Sequence, residues 1–195
     1  MSEANTPPSP ASPANTVLTH GTLLLMAVAC GLCAGANYFN QPLLHSMALA
    51  LGISDAQASS TVTMAQVSYG LGLLLLVPLG DMLERRRLVL ILMLLAGFGM
   101  FLSGLSSSFA MLAVGTVMTG LFSVAAQVLV PMAATFAAPG TSGRAVGLVM
   151  SGLLIGILTS RSVAGILSDL GGWQTVYWVG SACTVLAAIV LWRVL

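Results

Sequence analysis

The chain has 195 residues, of which 57% are hydrophobic and only 6% charged, and its net charge at pH 7 is +1. A soluble domain carries about 25% charged residues, so this balance excludes a water-soluble fold, a soluble catalytic domain and a nucleic-acid-binding surface. The mean hydropathy of +1.01 instead suits a chain whose solvent is the lipid bilayer.

Residues 1–16 are mostly Pro, Ser, Ala and Asn with a single charge, a composition that cannot bury a core. The sequence therefore predicts a disordered tail over 1–20, followed by a membrane bundle over 21–195. A spanning helix needs roughly 20 apolar residues. Pro, Gly, Ser and charge punctuate the bundle into six such runs, at 21–47, 55–80, 87–105, 109–137, 144–168 and 173–192. The runs do not alternate as barrel strands would, so the expected fold class is all-α. Arg85, Arg86 and Arg87 fall between spans two and three, Arg144 between four and five, and Arg193 at the end of six. Basic residues in short loops stay on the cytoplasmic side, which predicts a multi-pass protein of the cell (inner or plasma) membrane with both termini cytoplasmic.

Gly31 with Gly35, Gly143 with Gly147, and Gly152 with Gly156 recur at four-residue spacing, the pattern that lets neighbouring helices approach closely. Polar groups inside the spans face either another helix or a cavity. In span one Asn37, Gln41 and His45 are four apart, with Asn40 beside them. Span two offers Thr63, Gln66 and Tyr69, and span four offers Thr116, Thr119, Ser123 and Gln127, followed by Pro131. Spans three and six are poor in polar residues and suit a lipid-facing position. Arg161 lies deep in span five, where an arginine costs about 2.5–3.5 kcal/mol; it either faces a cavity or snorkels toward the end marked by Asp169. The candidate cavity residues are thus Asn37, Asn40, Gln41, Gln66, Ser123, Gln127 and Arg161.

Catalytic chemistry finds little support. The two histidines, His20 and His45, form no zinc motif, and the spans contain no carboxylate pair. Cys30, Cys33 and Cys183 lie in apolar runs and read as packing thiols. No metal and no cofactor is expected.

The run from Val77 to Arg87, with Gly80, Asp81, Arg85, Arg86 and Arg87, resembles the loop signature of the major facilitator superfamily. That signature reads Gly, three residues, Asp, a base, one residue, Gly and a basic pair. Here Val77, Met82 and Glu84 stand at the first glycine, the base and the second glycine. Gly147, Gly156, Ser160-Arg161 and Ala164-Gly165 resemble the superfamily's antiporter motif, with Arg161 in place of its proline. Thr116 stands where the fourth-span motif has a base. Gly165–Gly172 echoes the Asp81 loop, as inverted three-helix repeats would. The resemblance implies the amino-terminal half of a two-half, alternating-access secondary transporter, with a small-molecule substrate and a second six-helix half as partners. It further implies that Asp81 and the arginines at 85–87 form a gating loop, and it suggests an exporter or antiporter. A truncated or non-transporting membrane partner protein is the competing reading.

Overall fold

Hydroxyls set the helix starts. Ser54 accepts from the Gln57 amide at 3.2 Å while the Gln57 side chain accepts from the Ser54 amide at 3.1 Å, a capping box that satisfies two donors at once. Ser108 and Thr19 cap in the same way through the Met111 and Thr22 amides. A computed structural model describes residues 19–195; the tail expected over 1–20 lies outside the described residues except for Thr19 and His20, and His20 already opens a helix. The helices are α1 (His20–Ala36), α2 (Leu44–Leu51), α3 (Asp55–Leu75), α4 (Leu79–Met82), α5 (Arg85–Gly104), α6 (Phe109–Phe122), α7 (Ala125–Phe136), α8 (Ser142–Gly171) and α9 (Trp173–Val194).

They assemble into six membrane spans: His20–Leu51, Asp55–Met82, Arg85–Gly104, Phe109–Phe136, Ser142–Gly171 and Trp173–Val194. The fold is the all-helical bundle expected, with no strand among the described residues. Two differences matter. Spans one and five run longer than expected at the end away from the arginines, to Leu51 and Gly171, leaving short turns there. Gly52 and Gly172, at φ 61° and 82°, make these sharp reversals because glycine adopts positive φ without steric cost. Spans one, two and four are also each broken, at Asn37–Leu43, at Leu76–Pro78 and at Ser123–Val124.

Packing obeys an inverted symmetry. Span one runs parallel to span five: Ala27 and Gly31 meet Gly152, Gly31 also meets Gly156, and Gly35 meets Gly156 and Ser160. Span four lies along span two in the same parallel sense, with Gly120 against Ala65 and Ser68, and Gly72 against Leu121 and Val124. The first helix of each three-helix unit thus packs, through small residues, on the second helix of the other unit. Spans three and six meet across the middle, where Gly97 lies under Val185 and Ser181 donates to the Gly97 carbonyl at 2.7 Å.

Two apolar clusters result. One, at the arginine-rich end, centres on Met26, Met93, Leu129 and Met132. The other centres on Leu43, Met47, Met100 and Leu112.

Spans three and six bury 56% and 44% of their most apolar stretch, whereas spans two and five bury only 17% each. Spans three and six, read as suited to a lipid-facing position, keep exposed apolar residues such as Phe98 and Leu186 while their small residues interlock, and α3 and α8 turn broader faces such as Leu74, Ile155 and Leu158 outward. Of the expected glycine pairs, Gly31/Gly35 and Gly152/Gly156 form the seam, but Gly143 and Gly147 have open space where a Cβ would go. A Gly156→Val substitution should therefore lower stability by at least about 1–3 kcal/mol through overpacking, whereas Gly147→Val should be close to neutral. Thermal unfolding of the two variants in one detergent provides the comparison, and equal losses would contradict the seam.

Candidate polar cavity and arginine clamp

The break in span one follows from its sequence. Pro42 has no N–H and cannot continue the helical ladder, and the chain crosses the gap by tight turns, with the Tyr38 amide donating to the Gly35 carbonyl at 2.9 Å. In span four the Gln127 amide donates to the Val124 carbonyl at 2.8 Å as α7 begins, with Pro131 inside that helix. At the second break the Ser123 hydroxyl donates to the Gly120 carbonyl at 3.0 Å. Asn37, the cap closing α1, donates through Nδ2 to Oγ of Ser123, the cap closing α6, at 2.6 Å. The two discontinuities are thereby joined directly.

Beside this bond lies a cavity of about 90 Å³ lined by Ala34, Asn37, Tyr38, Gln66, Tyr69, Gln127, Leu153 and Ile157. Gln127 donates to the Tyr69 hydroxyl at 3.0 Å, tying α7 to α3. Gln66 is exposed on the outward face of α3. The Arg161 guanidinium stands 5.7 Å from the centre of the Tyr38 ring, within cation–π reach, and its side chain is exposed. Arg161 makes no salt bridge with any described acid.

Three of the expected cavity residues, Asn37, Gln66 and Gln127, thus line one cavity, with Ser123 bonded to Asn37 and Arg161 near the Tyr38 ring. Two do not join them. Asn40 is buried and donates to Thr61 at 3.4 Å; Gln41 sits half-buried in the 3-10 turn Gln41–Leu43. The stripe expected from Asn37 through Gln41 to His45 does not exist, because the break ends the helical register. His45 instead lies exposed, 4.0 Å from Asp55. Tyr38 was not among the expected cavity residues, although its place between Asn37 and the proline, with a ring and a hydroxyl, was a signal. Tyr69 was legible as part of the polar edge of span two.

At the arginine-rich end the three consecutive bases do different things. Arg85 donates to the Gly80 carbonyl at 3.1 Å, to Asp81 at 3.1 Å and to the Thr135 hydroxyl at 3.3 Å, joining the loop after span two to the end of span four. Arg86 lies 4.4 Å from the centre of the Trp192 ring and donates to the Trp192 carbonyl, reaching span six. Arg87 pairs locally with Glu84 at 2.6 Å. Asp81 is largely exposed, so its ion pair contributes little to stability. The Gly165–Gly172 segment does not repeat this geometry: α8 runs unbroken to Gly171.

Comparison with known proteins gives a consistent result. The chain is 52% identical over 179 residues to the uncharacterized transporter YgaY of Escherichia coli O157:H7, covering 92% of this chain and 45% of that protein. It is 33% identical over 167 residues to the probable transporter SCO4007 of Streptomyces coelicolor, covering 86% and 38%. Among solved structures it superposes with a TM-score of 0.77 on a bacterial homologue of the human lysosomal transporter Spinster, inward-facing and unoccupied, at 17% identity and covering 94% and 44%. The Escherichia coli fucose:proton symporter FucP matches at a TM-score of 0.69 and 15% identity, covering 90% and 42%. The chain thus spans less than half the length of these relatives. With its profile matched over residues 24–195, the chain belongs to the Major Facilitator Superfamily.

Proposed function

We propose that the chain supplies one six-helix half of a secondary transporter that moves a small molecule by alternating access, with the Asn37, Tyr38, Gln66, Tyr69 and Gln127 cavity as its share of the substrate site. The observation that carries this reading is an incomplete polar cavity beside an uncovered face. A ligand pocket encloses roughly 300–1,000 Å³, well above the 90 Å³ here, and the exposed Gln66 and Arg161 lie on the two helices with the broadest outward faces. A second six-helix half placed there completes both the cavity wall and the cover. Relatives of about twice the length support such a half.

The cavity offers uncharged hydrogen-bonding groups and one guanidinium. The Arg161 guanidinium suits an anionic group of the substrate or of the second half, which its planar fork of donors can grip. No covalent step and no cofactor enters this reading. The gating loop acts as a latch: Arg85 and Arg86 fasten the loop after span two to spans four and six, and rocking of the halves breaks those contacts. One-sided arginines support a cytoplasmic position for this loop and both termini. The antiporter-like glycine framework favours efflux as the direction.

Cysteines introduced at Ser54 and Ser107 should react with an impermeant maleimide from outside the cell, and one at Gly140 only from inside; the opposite pattern overturns the orientation. For transport, proteoliposomes can hold the chain alone or fused to the second half of its 52% identical relative. Incubated with a cell-extract metabolite pool, they should accumulate at least one compound, read by mass spectrometry of the lumen. Arg161→Ala should abolish that accumulation and Arg161→Lys restore only part of it. Wild-type accumulation in the alanine variant removes Arg161 from the site, and no accumulation in either format defeats the transporter reading. In the same assay Asp81→Asn should slow flux with membrane insertion intact, and unchanged flux reduces the loop to a positive-inside anchor.

A further inference from the structure

Asn37 also borders a second, smaller void. It is lined by Ala36, Asn37 and Asn40 at the break in span one, Ala65 on α3, Thr116 and Thr119 on α6, and Tyr177 on α9. None of these residues is more than 6% exposed. Their other polar arms are already committed: Asn37 Nδ2 to Ser123 at 2.6 Å, Asn40 Nδ2 to Thr61 at 3.4 Å, Thr119 to the Gly115 carbonyl at 2.8 Å and Tyr177 to the Met47 sulfur at 3.8 Å. Oδ1 of Asn37, Oδ1 of Asn40 and Oγ1 of Thr116 are fully buried and meet no partner among the described residues. Exchanging N and O of either amide changes which atom is left over but still leaves one.

Buried polar groups are satisfied by protein or by an ordered guest. We infer that this void is a binding site for a single water molecule, which donates to the amide oxygen of Asn40 and accepts from the Thr116 hydroxyl. The fit is one of size and valence. A water needs on the order of 10–15 Å³ measured to its centre and two to four polar partners; the void provides about 10 Å³, and Asn40 and Thr116 in its lining each carry an uncommitted polar atom. One acceptor and one hydroxyl match a donor and a lone pair of one water.

A cation suits the site less well. No acid lines it, and every described acid, Asp55, Asp81, Glu84 and Asp169, is exposed at a span end. An unbalanced charge in this interior carries a heavy desolvation cost. The bound water links Asn40 in the break of span one to Thr116 on α6, about two turns before Ser123, and the assignment is independent of whether the chain transports.

Synchrotron hydroxyl-radical labelling of the chain in lipid nanodiscs, with rapid mixing into ¹⁸O water, tests this directly. Radicals born from a trapped water oxidise the nearest reactive ring, Tyr177, which is 4% exposed. Wild-type Tyr177 should be labelled despite its burial and retain ¹⁶O after mixing, while Tyr38 takes up ¹⁸O. Thr116→Val should cut Tyr177 labelling severalfold, and Thr116→Ser should preserve it. Absence of wild-type labelling at Tyr177 overturns the site whatever the variants do, and equal labelling in the valine variant overturns the assigned partners. A melting temperature raised by sodium chloride over choline chloride in wild type but not in Thr116→Val would assign a cation instead, and so overturn the water.

Discussion

Ala27, Gly31 and Gly35 on α1 lie against Gly152, Gly156 and Ser160 on α8, and this approach of backbone to backbone positions the rest of the bundle. A Cβ built on Gly31 would stand 2.7 Å from the Gly152 carbonyl oxygen, closer than real contacts allow. In hydrocarbon there is no hydrophobic drive between helices, so association depends on van der Waals contact and interhelical bonds, both of which strengthen as the axes come together. The seam brings Tyr38 to Arg161 and fixes where the break in span one meets span four.

The polar belt follows from that placement. Breaking a helix in a membrane frees backbone groups that lipid cannot satisfy; tight turns and the Ser123 hydroxyl, which donates to the Gly120 carbonyl at 3.0 Å, take up part of this cost, and the breaks of spans one and four lie side by side. Asn37 and Ser123 each close a helix, each belong to the first helix of a three-helix unit, and bond to one another. Under the inverted symmetry these are near-equivalent positions, so one bond serves both units. Apolar clusters on either side hold the belt away from the span ends.

How much of this was legible in the sequence depended on whether a signal was local. Six spans, their ends to within a few residues, and two of the three glycine pairs follow from composition and spacing, because bilayer thickness and helix rise leave little freedom. The polar residues were legible as a set, and Asn37, Gln66 and Gln127 do converge. The register beyond Asn37 was not: a four-residue stripe through Gln41 to His45 presumes an unbroken helix, and Pro42 was read as closing the span rather than as turning it. Nor could spacing distinguish Gly143 and Gly147 from the seam glycines, since all have the same period and only the partner helix differs. The separate duties of Arg85, Arg86 and Arg87 depend on Thr135 and Trp192, which are distant in sequence.

A seam built from Gly, Ala and Ser has almost no rotamers to freeze and none to rearrange. A contact between long side chains can absorb a small displacement by changing χ angles, but this one cannot. Spans one and five are therefore mechanically a single stiff beam, and any tilt imposed at Arg161 on one arrives undamped at Tyr38 and the break on the other. The compliance of the bundle lies where the helical ladder is interrupted, at Asn37–Leu43 beyond the seam, at Ser123–Val124 and at Leu76–Pro78.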